Sequence, residues 1–103
     1  MDCIFCKIVN KEIPADFLFE SDKLVAFADI KPKAPIHILI VTKEHIVSIK
    51  ELQDASLTAE MVMAAKKLAE EKKMEGYKLA FNVGRAGGQE VDHLHLHLMG
   101  GFN

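Results

Sequence analysis

The spacing of apolar residues changes several times along the chain, and each change marks a new predicted element. In CIFCKIVNKEI the apolar positions follow a helical period and stop before Pro14, which predicts a short helix. DFLFES and KLVAFAD are predicted to be two strands that turn at Ser21–Asp22. The prolines of IKPKAP predict a loop, and the β-branched run IHILIVTK, residues 36–43, predicts a buried strand.

The second half of the chain begins with its one long predicted helix. SLTAEMVMAAKKLAEEKK has apolar residues three or four apart, Ser56 as a candidate cap and lysines at its end. GYKLAFNV and HLHLHLM are predicted strands on either side of the glycine-rich loop GRAGGQ. The order is therefore helix, three strands, long helix, two strands. Short early connections favour an antiparallel α+β fold over alternating βαβ units.

Length, charge and cysteine content narrow the class of protein. A chain of 103 residues suits one domain, residues 1–103. A formal net charge of −2 argues against binding to nucleic acid or to a membrane surface, which needs a basic patch. No apolar stretch reaches the roughly 20 residues that span a bilayer, and NKE interrupts any signal-peptide core. We expect a cytoplasmic protein with reduced cysteines.

The last predicted strand carries three of the five histidines at alternate positions, so its side chains divide into two faces. The histidines lie roughly 13 Å apart from first to last, which makes one ion shared by all three improbable. A polar surface, a two-histidine metal centre and catalysis are the open interpretations. Catalysis is favoured, because neutral imidazole offers both a nucleophilic nitrogen and an N–H donor. One face holds His93, His95, His97 and Met99, and the other holds Leu94, Leu96 and Leu98 beneath the long helix.

Two further features strengthen the catalytic interpretation. His37 interrupts an apolar strand, where a lone histidine is usually a satisfied core residue, but a neighbouring last strand would bring it to the same face as the other histidines. The loop with Gly84, Gly87 and Gly88 can turn backbone N–H groups towards a phosphate. It lacks the Gly-Lys-Ser/Thr of a P-loop, and no helix follows it as in a Rossmann fingerprint. Beside histidines, it indicates phosphorus chemistry.

The cysteine pair of CIFC has the spacing of a zinc half-site. Two buried thiols without a metal are an equally open alternative. If zinc binds, two more ligands are needed, and His45 and His93 are the best placed, because the inner histidines are wanted for chemistry. Cys3, Cys6, His45 and His93 then form a closed structural site.

With these residues in place, the sequence resembles the histidine triad (HIT) family, and most closely its Hint branch. HLHLHLM fits the motif His-φ-His-φ-His-φ-φ, where φ is apolar, and both the N-terminal half and GGQEVDHLHLHLMGG run like the family. The resemblance covers nearly the whole chain. It implies a five-stranded antiparallel sheet with one short and one long helix, and a homodimer that joins two sheets into one.

The resemblance also implies a chemistry. His95 is the expected nucleophile at the α-phosphorus of a purine nucleotide, and His97 and His37 are expected to contact the phosphate and the leaving group. A covalent nucleotidyl-histidine forms, and water then releases the nucleoside monophosphate. Zinc is implied on the two cysteines, His45 and His93, with no organic cofactor. The implied nucleotide-binding residues are Ile4, Phe5, Ile8, Phe27, Asp29, Ile30, Asn82, Gly88, Gln89, Glu90 and Val91.

Three functions follow from the resemblance. The first is hydrolysis of the P–N bond of purine nucleoside phosphoramidates, in which Glu90 can hydrogen-bond the departing amine. The second is hydrolysis of dinucleoside polyphosphates, as in the Fhit branch. The third is a zinc-stabilised nucleotide-binding regulatory module with little turnover. The complete histidine set favours an enzyme, and the Hint-like N-terminal half favours the first function.

Overall fold

The computed structural model describes residues 3–102 and has one five-stranded antiparallel sheet at its centre, with the strands in the spatial order β1–β2–β3–β5–β4. The α+β class and the element order predicted from the sequence are confirmed. The described helices and strands are α1 (Ile4–Val9), β1 (Phe19–Glu20), β2 (Leu24–Ala28), β3 (Ile36–Thr42), α2 (Ala55–Glu71), β4 (Tyr77–Ala80) and β5 (His95–Gly100).

One face of the sheet packs against α2. The helical spacing of apolar residues in α2 places one stripe of leucine, methionine and alanine against the inward side chains of β3 and β5. These residues form the larger of two core clusters. The leucines between the histidines lie in this cluster, as the alternation predicted. Leu96 and Leu98 of β5, and Leu94 just before that strand, are each at most 2% exposed.

The other face of the sheet carries the short helix α1 and the histidines. Val25, Phe27, Leu39 and Val41 on this face pack with Phe5 of α1 in the second core cluster. A six-residue helix is too short to be stable by itself, so its position depends on these contacts. This face is therefore the one on which a site can form.

Several element boundaries differ from the predicted ones. The cap of α2 is Asp54 rather than Ser56, because the Asp54 carboxylate accepts hydrogen bonds from both the backbone N–H and the hydroxyl of Ser56. The first and fourth strands are shorter than predicted, and the glycine loop contains a turn of 3-10 helix, Arg85–Gly87. None of the helices within residues 3–102 has the length and apolar character required to cross a bilayer.

Candidate active site and metal centre

The strand register brings the predicted catalytic histidines together. β3 and β5 are neighbouring antiparallel strands, in which Leu39 pairs with His97 and Val41 with His95. His37 lies on the same face, and its Nε2 is 2.8 Å from Nδ1 of His97. The rings of His95 and His97 are 4.9 Å apart. The expectation that His37 joins the face of the triad is therefore met.

The hydrogen bonds of His95 determine which ring nitrogen is free. Its Nδ1 is 2.6 Å from the carbonyl oxygen of His93, which can only accept, so Nδ1 carries the proton. Burial lowers the pKa of His95, which favours the neutral ring. A neutral imidazole protonated at Nδ1 has an unprotonated Nε2. This nitrogen has the lone pair that a nucleophile needs.

His37 and His97 form a directed chain of hydrogen bonds. The backbone N–H of Lys33 donates to Nδ1 of His37, so the proton of neutral His37 is on Nε2 and points towards His97. His97 accepts this hydrogen bond at Nδ1, and its own proton is then on Nε2. Burial, together with the neighbouring His95 and His37, lowers the pKa of His97 to about 4. His97 is therefore a neutral N–H donor at pH 7.

Asp29 adds a carboxylate to this chain. Its Oδ2 lies 3.5 Å from Nε2 of His37, and its Oδ1 accepts a hydrogen bond from the backbone N–H of Lys31. Burial lowers the pKa of His37, and the nearby Asp29 opposes that shift. Asp29, His37 and His97 are close enough to be considered as metal ligands. However, a histidine ligand normally donates its second N–H to an acceptor, whereas the second nitrogen of His37 faces a donor. The pattern suits hydrogen bonding better than a metal.

The four predicted zinc ligands meet at the start of β5. The Sγ of Cys3 is 3.2 Å from Nδ1 of His93, the Sγ of Cys6 is 3.2 Å from Nδ1 of His45, and the two histidine Nδ1 atoms are 3.2 Å apart. All four ligand atoms lie within 4.8 Å of one another. Tetrahedral zinc with ordinary bond lengths separates sulfur from nitrogen by about 3.5 Å and two nitrogens by about 3.3 Å. The spacing of the four groups therefore fits zinc.

The second nitrogen of His93 supports the same conclusion. Its Nε2 is 2.6 Å from the carbonyl oxygen of Thr42, so this nitrogen donates and Nδ1 keeps a lone pair facing the cysteines. Burial lowers the pKa of His93, which also favours the neutral, ligating form. The buried His93 thus has the tautomer that a zinc ligand requires, in contrast to His37.

The predicted base-pocket residues separate into a buried group and an exposed group. Phe5, Ile8 and Phe27 are buried in the second core cluster, and the partly buried Val91 packs against it. The ring of Phe5 meets those of Phe27 and His95 edge-on, at centroid distances of 5.7 and 5.1 Å. By contrast, Ile4 is 44% exposed and Ile30 is 86% exposed. These two remain free to contact a ligand.

A cleft of about 360 Å³ continues from Ile8. It is lined by Lys11, Ile13, Pro14, Ala15, Asp16 and Phe17. A larger depression of about 520 Å³ opens on the α2 side of the sheet, between the residues around Lys43 and those around Asp54. None of the five histidines lines either of them. His37, His93 and His95 lie instead on the α1 side of the sheet, where each is at most 7% exposed.

The glycine loop is organised by its own side chains. The buried amide of Gln89 donates to the carbonyl oxygens of Val47 and Val91 and accepts from the N–H of Gly84. Asn82 donates to the carbonyl oxygen of Gly87. Gly88 has φ +84°, a left-handed conformation that favours glycine. These predicted phosphate-side residues therefore hold the loop, and the backbone rather than the Gln89 amide is left to face a ligand.

Two loop contacts were not predicted from the sequence. Arg85 forms two hydrogen bonds with the carboxylate of Asp92, at 2.9 and 3.0 Å, and also donates to the carbonyl oxygen of Gln89. Glu90 is exposed, and its carboxylate lies 3.5 Å from Nζ of Lys33. The backbone N–H of the same lysine is the one that donates to Nδ1 of His37. The spacing of Arg85 and Asp92 in an irregular loop gives no periodic signal that could have indicated the pair.

Comparison with known proteins agrees with this arrangement. The family described as "Scavenger mRNA decapping enzyme C-term binding" matches residues 2–102. A purine nucleoside phosphoramidase of Escherichia coli is 40% identical over 104 residues, which cover 97% of this chain and 87% of that protein. The chain is thus similar to that enzyme over almost its full length.

Solved structures give the same result. A HIT family hydrolase from Legionella pneumophila is 48% identical with a TM-score of 0.93, covering 99% of this chain and 95% of its own. A zinc-bound histidine triad family protein from Mycobacterium smegmatis is 30% identical with a TM-score of 0.89, covering 100% of this chain and 77% of its own. The chain therefore belongs to the histidine triad (HIT) family.

Proposed function

We propose that this protein is a hydrolase that attacks the α-phosphorus of purine nucleoside phosphoramidates through a covalent nucleotidyl-histidine on His95. The observation that carries the proposal is the hydrogen bond from Nδ1 of His95 to the carbonyl oxygen of His93, because it leaves Nε2 unprotonated. Similarity to a purine nucleoside phosphoramidase supports the choice of a P–N bond.

The reaction proceeds in two steps. In the first, Nε2 of His95 attacks phosphorus, the P–N bond breaks, and the departing nitrogen takes a proton from solvent, while the Nε2–H of neutral His97 donates a hydrogen bond to the phosphate. In the second, water attacks phosphorus, the bond to His95 breaks, and the proton that this water loses returns to solvent. The products are a nucleoside monophosphate and an amine. His37 holds His97 in the donating tautomer, and Asp29 binds the ribose hydroxyls.

Backbone N–H groups of the loop around Gly88 are proposed to receive the phosphate oxygens, with Asn82 and Gln89 keeping the loop in shape. The purine is proposed to lie against apolar residues of α1, of β2 and of the loop that follows β2. Ile4 of α1 and Ile30 of that loop offer exposed aliphatic surface there. Glu90 is proposed to accept a hydrogen bond from the leaving amine.

Zinc is proposed on Cys3, Cys6, His45 and His93 as a structural ion, which supplies no chemistry to the reaction and joins α1 to the start of β5. Elemental analysis of the purified protein should give about one zinc per chain, and Cys3→Ala should lower that value. Full zinc content in this variant would contradict the ligand set.

A homodimer is also proposed. β4 is an edge strand of the described sheet, and the exposed side chains of Tyr77 and Leu79 lie on it. An open edge with apolar side chains is suited to pairing with the same edge of a second copy. Light scattering should give twice the mass of one chain, and Leu79→Lys should shift the protein towards monomer.

The activity is tested by comparing turnover of an adenosine phosphoramidate with that of a diadenosine polyphosphate. We expect faster turnover of the phosphoramidate. His95→Asn should reduce turnover by orders of magnitude while the nucleotide still binds, and wild-type protein quenched rapidly in alkali should carry a nucleotidyl group on His95. Unchanged rates in the variant would exclude His95 as nucleophile, and nucleotide binding without turnover of either substrate would favour a regulatory module.

A further inference from the structure

We propose that Cys3 and Cys6 are also an oxidation site, at which a hydroperoxide converts the zinc-bound thiolates into a disulfide, releases the metal and weakens nucleotide binding. The disulfide and the release of zinc require only the metal cluster. The loss of binding rests on the proposed function, because it assumes that α1 forms a wall of the nucleotide site.

The two thiols are placed to react with each other. Cys3 precedes the first turn of α1 and Cys6 lies within it, so the backbone N–H of Cys6 donates to Sγ of Cys3 at 3.4 Å. Both sulfur atoms belong to the group of ligand atoms within 4.8 Å of one another. The C-x2-C spacing supports a zinc half-site and an internal disulfide equally well. Little backbone movement is therefore needed to join them.

Their unequal exposure gives an order to the reaction. Cys3 is only 7% exposed, whereas Cys6 is partly buried and is the thiol that a small oxidant reaches first. The Cys6 thiolate attacks one peroxide oxygen and the O–O bond breaks, which gives a sulfenic acid and a hydroxide or alkoxide that takes a proton from solvent. The Cys3 thiolate then attacks the Cys6 sulfur and displaces hydroxide, which is protonated to water. The two sulfurs together lose the two electrons that reduce the peroxide.

The metal cannot stay once the disulfide has formed. Zinc is held by thiolates, and a disulfide offers no thiolate, so only His45 and His93 would remain as ligands. Two neutral imidazoles on a protein face bind zinc far more weakly than a complete Cys2His2 set. Release of one zinc per disulfide follows from this loss of half the ligands.

The metal cluster is connected to the nucleotide site through α1 and β5. Phe5 lies between the two cysteines in sequence, and its ring meets those of His93 and His95 edge-on at 5.9 and 5.1 Å. A helix of six residues depends on its tertiary contacts for its position. Without zinc, α1 keeps its apolar contacts but loses its bonds to the start of β5. We therefore expect α1, which forms one side of the proposed purine-binding surface, to become less fixed in position.

The test treats zinc-loaded wild-type protein with hydrogen peroxide and follows three quantities in parallel. A chromophoric chelator reports released zinc, mass spectrometry reports the loss of two hydrogens in the Cys3–Cys6 peptide, and calorimetry reports AMP binding. We expect about one zinc per disulfide and at least a tenfold rise in the AMP dissociation constant. Dithiothreitol with added zinc should restore all three.

Methionine oxidation needs its own control, because Met63 on α2 is 57% exposed. Met63→Leu should respond to peroxide as the wild type does, and dithiothreitol does not reverse a methionine sulfoxide. Cys6→Ser should form no intramolecular disulfide. A rise in the dissociation constant that persists after dithiothreitol and zinc would assign the effect to methionine and overturn the proposal.

The remaining outcomes are equally decisive. Intact thiols and retained zinc, at a peroxide concentration that fully oxidises glutathione, would overturn the oxidation site. A disulfide with unchanged AMP affinity would overturn its link to the nucleotide site. If untreated zinc-loaded protein binds no purine nucleotide, the proposed function fails, while zinc release and the peptide mass still decide the oxidation site independently.

Discussion

The side chain of Gln89 makes three hydrogen bonds to the backbone of three different segments, and its removal is the sharpest test of how the glycine loop is held. Nε2 donates to the carbonyl oxygens of Val47 and Val91 at 2.7 and 2.9 Å, and Oε1 accepts from the N–H of Gly84 at 2.9 Å. The residue is 3% exposed, so water does not readily replace these partners.

Gln89→Met keeps the approximate length and volume of the side chain but removes all three hydrogen bonds. Each net hydrogen bond contributes about 1 kcal/mol, and the backbone groups left behind lose a partner, so we expect a loss of about 2–4 kcal/mol in the free energy of unfolding. Because the loop also loses its anchor to Val47, we expect KM for nucleotide substrate to rise more than kcat falls.

Urea unfolding followed by far-ultraviolet circular dichroism measures the first effect. With a slope of about 1–2 kcal/mol per molar urea, the midpoint should fall by at least about 1 M. Gln53→Met is the matched control, since Gln53 is exposed and its midpoint should change little. A Gln89→Met midpoint within about 0.3 M of the wild type, with unchanged KM, would show that the loop does not depend on this amide.

Three further predictions concern other parts of the molecule. Leu96→Ala removes a 1% exposed core side chain beneath α2 and should cost about 2–5 kcal/mol in urea unfolding. Asp54→Ala removes the cap of α2 and should cost about 1 kcal/mol, whereas Ser56→Ala should cost less. Burial lowers the pKa of His97 to about 4, so the unfolded chain binds a proton that the folded chain does not. Stability present above pH ~6.5 should therefore fall as the pH approaches about 4, and His97→Asn should show a smaller drop between pH 7 and pH 5.

The arrangement of the histidines was predictable because a strand has a fixed period. Alternation alone placed His95 and His97 on one face and Leu96 on the other, and the single histidine of β3 indicated that His37 belongs with them. The cluster of two cysteines and two histidines that could hold a metal followed from the C-x2-C spacing and from the histidines left over. In each case the evidence was a short-range spacing in the sequence, and the regular geometry of a strand or a helix determines which side chains such a spacing brings together.

The contacts that set the protonation of the histidines were not predictable, because their partners are backbone groups. The N–H of Lys33 fixes the tautomer of His37, and the carbonyl oxygen of Thr42 fixes that of His93. Any residue except proline supplies the same N–H, so the sequence carries no mark of this role. The ion pair between Arg85 and Asp92 was missed for a related reason, since irregular loops have no period that reveals which side chains meet.

One peptide group connects the proposed metal centre to the proposed nucleophile. The side chain of His93 belongs to the proposed zinc site, and its carbonyl oxygen is the acceptor that holds the proton on Nδ1 of His95. A metal that fixes the His93 ring also fixes this carbonyl, because the ring and the carbonyl share one Cα. Loss of zinc should therefore loosen the orientation of His95 as well as the position of α1. Nitrogen-15 spectra of the His95 ring, recorded with and without zinc, would show whether the Nδ1–H tautomer depends on the metal, and a tautomer that persists without zinc would separate the two sites.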